Sequence, residues 1–80
     1  MRLDKFLKVS RIIKRRTLAK EVCDGGKVSI NGRPAKAGTE IKSGDELSLD
    51  FGHRILKVRV LETPDSASVE AARQMYEEIK

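Results

Sequence analysis

Residues 2–36 read RLDKFLKVSRIIKRRTLAKEVCDGGKVSINGRPAK and combine two helical patterns with a hairpin signal. The stretch holds eleven Lys and Arg residues against three acids, a net charge of +8. Residues 37–80 hold six bases and nine acids, a net of −3, so the +5 of the whole chain comes from its first half. Positive charge concentrated in one part of a small protein indicates a surface that binds a polyanion.

The first part of this stretch has the apolar periodicity of two helices. Leu3, Phe6 and Leu7 lie at i, i+3 and i+4, which predicts an amphipathic helix of about two turns. Apolar residues recur at helical spacing again over about residues 14–24, at Leu18, Ala19, Val22 and Cys23. Gly25-Gly26 would end this second helix, because glycine accepts the left-handed conformation past a helix end. We expect a tight link near Ser10 between the two helices.

Strand patterns follow the helices. Lys27–Ile30 alternates, and Asn31-Gly32 is a strong hairpin signal because both residues tolerate the positive φ of a type I′ turn. Pro34, in the returning segment, fits only an edge position. Glu46–Phe51 and Arg54–Leu61 alternate on either side of a Gly-His turn. These segments predict a small twisted sheet.

The C-terminal segment has apolar residues at helical spacing, Val69, Ala72, Tyr76 and Ile79, which predict a helix over about residues 67–80. Its apolar stripe would pack on the sheet or bind a protein partner. The predicted fold class is α+β, with two short N-terminal helices packed on a twisted, mostly antiparallel sheet of about four strands, plus the C-terminal helix. We expect a single domain over residues 1–80, with a core motif over about residues 1–50.

Residues that could support catalysis or bind a metal are few. His53 lies beside a turn glycine, and Cys23 lies thirty residues away on the predicted buried side of a helix. Neither completes a catalytic pair or a metal site, so we expect no enzyme, no metal, no cofactor and no small-molecule substrate. No apolar run exceeds two residues, which excludes a membrane-spanning segment. A single cysteine and the lack of a signal segment favour the reducing cytoplasm.

The sequence resembles the RNA-binding domain named after ribosomal small-subunit protein S4. The resemblance rests on Arg2–Leu7, Ser10-Arg11, Arg16–Ala19, Gly26–Gly32 and Gly44-Asp45, in that order and spacing. It covers about residues 1–50. Domains of this family bind structured RNA through the two helices and the hairpin side, and the resemblance implies the same for this chain.

Two further segments, Lys8–Lys20 and Ala71–Tyr76, are similar to the stand-alone family members of ribosome-associated quality control, which are relatives of the fifteen-kilodalton ribosome-binding heat-shock protein. That resemblance implies a monomer, with no further domain, that binds obstructed large (50S) ribosomal subunits still carrying peptidyl-tRNA. It implies contacts with 23S ribosomal RNA and the P-site tRNA. It also implies support for adding C-terminal alanine tails to stalled chains, with a tRNA-recruiting partner of the NEMF type.

Three alternatives stay open. The first is a heat-shock-type rescue factor of large subunits that does not promote tailing, and the second is an accessory module of an RNA-modification system. The third, a DNA-binding protein, is disfavoured because the helix pair lacks an obvious base-reading set of Asn, Gln and Arg.

The candidate RNA contacts lie on the two helices and their link: Arg2, Asp4, Lys5, Lys8, Arg11, Lys14, Arg15, Arg16, Thr17 and Lys20. The resemblance places Arg2 and Arg16 at RNA-contacting positions, and the planar guanidinium suits phosphate. For Asp4 two roles stay open: a residue that stabilises the helix start or pairs with a base, and one that orients an arginine or accepts from RNA. Phe6 and Phe51 fall on predicted core faces, so we expect recognition by shape and phosphate rather than by base stacking.

Overall fold

The structure is a computed structural model and describes residues 1–79. The elements in chain order are α1 (Leu3–Val9), α2 (Arg16–Asp24), β1 (Val28–Ile30), β2 (Arg33–Pro34), β3 (Glu46–Asp50), β4 (Ile55–Val60), α3 (Val69–Arg73) and β5 (Tyr76–Glu78). All pairings in the sheet are antiparallel, in the order β2-β1-β3-β4-β5. The α+β prediction is confirmed, with five strands where about four were expected.

Both N-terminal helices bury a narrow apolar stripe. Helix α1 buries Leu3, Phe6 and Leu7 completely, as the i, i+3, i+4 spacing predicts. Helix α2 begins at Arg16 rather than at about residue 14, because Arg15 is extended, with φ −120° and ψ 134°. Our placement of Leu18 in the apolar stripe of α2 is wrong, since this side chain is 49% exposed. Successive residues of a helix are rotated by about 100°, which carries Leu18 past the narrow strip that touches the core.

The sheet buries one face against the helices. Asn31 and Gly32 have φ values of 51° and 83°, so the turn between β1 and β2 has the predicted positive φ at both central residues. The side chains of one face are almost completely buried: Val28, Leu47, Leu49, Val58 and Val60. Val28 pairs with Leu49, and Leu47 pairs with Val58, so these side chains form contiguous cross-strand contacts.

The C-terminal segment corrects the predicted helix over residues 67–80. Helix α3 ends at Arg73, and β5 then pairs with β4, with Tyr76 opposite Val60. Met75, between the two elements, is fully buried, whereas Val69 is 50% exposed. A helix over this segment would leave the backbone groups along the edge of β4 without partners, and β5 satisfies them. The predicted last residue of the helix, Lys80, lies outside the described residues.

A cross-strand ion pair also fixes β5. The Arg59 guanidinium on β4 donates to Glu77 on β5, with Nη1 2.6 Å from Oε1, and its Nη2 lies 3.4 Å from Oε2 of Glu46 on β3. These hydrogen bonds, first with Glu77 and then with Glu46, raise the pKa of Arg59 above its usual range. Because the three side chains are exposed, we assign them to the register of the strands rather than to overall stability.

The loop after the hairpin caps the start of α1. The backbone N–H of Leu3 donates to the Thr39 carbonyl at 2.9 Å, and that of Asp4 donates to the Ala37 carbonyl at 3.1 Å. Two N–H groups that a helix start leaves unpaired are therefore satisfied by a distant loop. Within residues 1–79, no helix combines the length and the hydropathy that a membrane crossing requires.

Candidate nucleic-acid interface

An acid lies at the centre of the basic surface. The Asp4 side chain is buried, and its Oδ1 accepts from the Lys5 backbone N–H at 2.8 Å. The Nε of Arg2 lies 3.3 Å from Asp4 Oδ1, and the Nε of Arg16 lies 3.4 Å from Asp4 Oδ2. Asp4 thereby brings together two guanidinium groups that come from residues fourteen positions apart in the chain.

This arrangement fixes how the two arginines face solvent. Arg16 uses its Nε toward Asp4, and Arg2 uses its Nε and, at 3.5 Å, its Nη2. Each arginine side chain is 50% exposed, so its other N–H groups are available to an external acceptor. A buried carboxylate without partners would be costly, so the acid and the arginines hold each other in place. Two cations on one acid leave a local net positive charge, which suits a phosphate.

The link between α1 and α2 has some residues buried in the core and others exposed to solvent. The Ser10 hydroxyl is buried and donates to the Leu7 carbonyl at 3.3 Å, and Ile13 is 5% exposed. Arg11 has a left-handed backbone, with φ 64°, and its N–H donates to the Lys8 carbonyl at 3.1 Å. This conformation normally favours glycine, so an arginine here is held against its backbone preference.

The ten predicted contact residues fall into three groups. The structure brings Arg2, Asp4 and Arg16 together. Six others are exposed on the helices and their link: Lys8, Arg11, Lys14, Arg15, Thr17 and Lys20. The last, Lys5, is half-buried, and its Nζ lies 3.3 Å from Oδ1 of Asp65, an acid of the loop between β4 and α3. RNA contact by these residues stays a prediction, and Lys5 is paired with an acid that lies outside the two helices and their link.

The sequence prediction omitted the turn Lys36–Thr39, which lies against this site. A Cβ atom added at Gly38 would lie 3.7 Å from Nη2 of Arg2. The Nζ of Lys36 lies 3.4 Å from the carbonyl oxygen of Asp24, the last residue of α2. The positive charge of Lys36 is visible in the sequence, but its approach to the helices depends on contacts across the fold.

The residues considered for catalysis belong to different parts of the fold, Cys23 to α2 and His53 to the turn after β3. Cys23 is fully buried, and burial, followed by the charges of Asp4 and Asp24, raises the pKa of its thiol to about 11. A thiol with so high a pKa is a poor nucleophile near neutral pH. His53 is exposed in the turn after β3. Among residues 1–79, no cluster of three His, Cys, Asp or Glu side chains could hold a metal ion.

Comparison with known proteins gives consistent matches over this whole surface. The family model described as the S4 domain matches residues 1–47. The RQC P-site tRNA stabilizing factor of Bacillus subtilis (strain 168) is 58% identical over 80 residues, which cover 100% of this chain and 93% of that protein. The protein of the same name from Streptococcus pneumoniae is 56% identical over 77 residues, covering 96% of this chain and 88% of that protein.

Heat-shock relatives match at lower identity. The heat shock protein 15 homolog of Aeromonas salmonicida is 37% identical over 79 residues, covering 98% of this chain and 60% of that protein. Among solved structures, the trimeric heat shock protein 15 of Vibrio cholerae superposes with a TM-score of 0.90 at 34% identity. That match covers 99% of this chain and 81% of the Vibrio chain.

Proposed function

Because the chain belongs to the S4 domain family, we propose that it is an RNA-binding factor of ribosome-associated quality control that stabilises the P-site tRNA. The observation that carries this proposal is the Asp4 carboxylate with Arg2 and Arg16 on either side, in the part of the chain that the family model covers. The names of relatives at 51 to 58% identity, which align over nearly the whole chain, support the same role.

Such a role needs binding geometry rather than a reactive group. A protein that contacts a tRNA better in one position than in another shifts the population toward that position by its differential affinity. Oriented guanidinium groups and exposed lysines supply phosphate contacts, which are independent of base sequence. Phe6 is fully buried and Phe51 is half-buried, so neither side chain forms an open platform for a base. Recognition is by the shape and the backbone of folded RNA.

In its finer detail, the proposal is that the chain acts as a monomer and a single domain in the cytoplasm. It binds obstructed 50S subunits that carry peptidyl-tRNA and contacts 23S ribosomal RNA as well as the P-site tRNA. It performs no chemistry itself. It supports alanine tailing of the stalled chain by holding the tRNA while a NEMF-type partner delivers the next one.

A second candidate function is supported by the heat-shock relatives. The TM-score of 0.90 with the Vibrio cholerae protein shows how closely the two chains share a fold. Under this alternative the protein rescues large subunits without promoting tailing. The two functions share the RNA-binding surface and differ in the consequence for the nascent chain.

Crosslinking in cells tests the proposal. A tagged chain is crosslinked and purified, and the bound RNA is sequenced; we expect 23S ribosomal RNA and tRNA to be enriched over other RNAs. Crosslinks to messenger RNA or DNA alone would contradict the proposal. Mass spectrometry of stalled nascent chains then separates the two candidates: deletion of the gene removes C-terminal alanine tails under the first and leaves them intact under the second.

A further inference from the structure

The turn Lys36–Thr39 is held firmly between the two N-terminal helices. It is closed by two hydrogen bonds: the Thr39 N–H donates to the Lys36 carbonyl at 3.1 Å, and the Lys36 N–H donates to the Thr39 hydroxyl oxygen at 2.9 Å. The Ala37 N–H donates to Asp24 Oδ1 at 3.2 Å, which fastens the turn to the end of α2. With the two carbonyls that cap α1, these contacts give the turn a defined position.

The turn offers a glycine and a lysine beside the arginines. Gly38 is exposed and lies against the guanidinium of Arg2, with nothing larger than its hydrogen atoms on that side. Lys36 is exposed, and its ammonium makes a long hydrogen bond, 3.4 Å, to the last carbonyl of α2. No salt bridge among the described residues involves Lys36, so its charge is not offset by a paired acid.

Lys36 lies near the end of a side of α2 that carries two cations. Arg16, Lys20 and Asp24 are spaced four residues apart, so their side chains lie along one side of the helix at intervals of about 6 Å. The ammonium of Lys36 lies at the C-terminal end of α2, beside the backbone carbonyl of Asp24. The Asp24 carboxylate contributes an acid there, and it accepts the Ala37 N–H. A nucleic-acid strand running along α2 would meet Arg16, Lys20 and Lys36 in turn.

We propose that the turn Lys36–Thr39 is a third part of the RNA-binding surface, beside the helices α1 and α2. Lys36 pairs with a backbone phosphate of the strand held by Arg16 and Lys20, and Gly38 keeps the guanidinium of Arg2 open to the RNA. This inference rests on the proposed function and adds residues outside the two helices to the same site. A purely structural role for Lys36, as a cation at the end of α2, would instead affect only stability.

The role of Lys36 is tested by removing one positive charge there and, as a control, at another exposed lysine. Lys36→Gln and the control Lys42→Gln each remove one exposed charge, and binding to purified large subunits carrying peptidyl-tRNA is measured over a series of KCl concentrations. Loss of a phosphate contact lowers the magnitude of the log–log salt slope by about 1. We expect that change for Lys36→Gln and none for Lys42→Gln. Equal slopes for the two variants, or a lowered melting temperature of Lys36→Gln with an unchanged slope, would overturn the role of Lys36.

The glycine is tested by adding bulk in two steps. Gly38 lies outside the left-handed region, so alanine is compatible with its backbone, and an alanine Cβ would meet Arg2 at an ordinary contact distance. We expect Gly38→Ala to bind like the natural chain and Gly38→Leu, which covers the guanidinium, to bind roughly tenfold more weakly, as loss of the Arg2 contact would. Full binding by Gly38→Leu would overturn the role of Gly38. No binding by the natural chain would overturn the proposed function itself, and this inference with it.

Discussion

Asp4 organises a basic surface although it carries the opposite charge. The sequence places it between Arg2 and Lys5, which leaves its role open between a helix-stabilising acid and an arginine partner. The structure supplies the missing contact, with Arg16, twelve residues further along the chain. That contact depends on how α1 and α2 pack, and no local spacing encodes it. The pattern thus predicts the arginines, and only the packed helices show what orients them.

Arg11 should show opposite effects on stability and binding. Its left-handed backbone, φ 64°, is one that glycine adopts without strain, and such strain costs on the order of 1 kcal/mol or more. We expect Arg11→Gly to keep or raise the free energy of unfolding by up to about 1 kcal/mol, because glycine's added chain entropy offsets part of the relief. Binding to large subunits should weaken. Chemical denaturation and co-sedimentation measure the two effects.

Lys14→Gly is the matched control for this prediction. It removes one exposed charge from the same link, at a position whose φ is not positive, so it relieves no strain. We expect it to lower the free energy of unfolding. If Arg11→Gly destabilised the protein as much as Lys14→Gly, the backbone of Arg11 would not be strained. If the Arg11→Gly variant bound large subunits as tightly as the natural chain, Arg11 would not contact RNA.

Cys23→Ala should lower stability without affecting binding. The thiol is fully buried on the core side of α2, and loss of a small buried group costs roughly 1 kcal/mol. Because burial raises the pKa of the folded thiol from 9.0 to about 11, this group's contribution to stability is constant below pH 9 and falls as the pH rises toward 11. The natural chain should therefore lose stability over that range by an amount that Cys23→Ala does not. Loss of binding by a folded Cys23→Ala chain would indicate thiol chemistry.

At the scale of elements, the sequence predicts a turn or a strand correctly where a local pattern allows only one backbone conformation. The Asn31-Gly32 turn and the two alternating strands β3 and β4 follow the pattern of the sequence. The C-terminal segment did not, because Val69, Ala72 and Tyr76 fit a helix as well as a short helix followed by a strand. The free edge of β4, more than ten residues earlier, favours the second arrangement.

Two alanine substitutions test this C-terminal arrangement. Met75 is fully buried between α3 and β5, so Met75→Ala should lower the free energy of unfolding by about 2–5 kcal/mol. Val69 is half-exposed, and Val69→Ala should change the free energy of unfolding by no more than about 0.5 kcal/mol. The continuous helix that the sequence predicts would place Val69 on its packed stripe, where it would be buried. A larger loss for Val69→Ala than for Met75→Ala would therefore favour that helix.

At the scale of the whole molecule, the charge asymmetry should appear as salt dependence. Residues 2–36 carry +8, and the structure exposes eight of the ten candidate contacts, all except Asp4 and Lys5. If about five phosphates are neutralised, the log–log slope of affinity against salt should be on the order of −3.5 to −4.5. Binding to large subunits at a series of KCl concentrations measures the slope, and a slope near zero would exclude binding through phosphates.

The central claim is that the arginines held by Asp4 bind RNA, and Arg16 tests it most directly. Asp4 keeps its contacts with Arg2 and with the Lys5 N–H when Arg16 is replaced, so we expect the fold to persist. The measurement is co-sedimentation of Arg16→Ala and of Lys42→Ala with large subunits carrying peptidyl-tRNA, beside thermal unfolding of both variants. We predict binding roughly tenfold weaker for Arg16→Ala and unchanged for Lys42→Ala, at temperatures where both are folded. Equal binding by the two folded variants would contradict the claim.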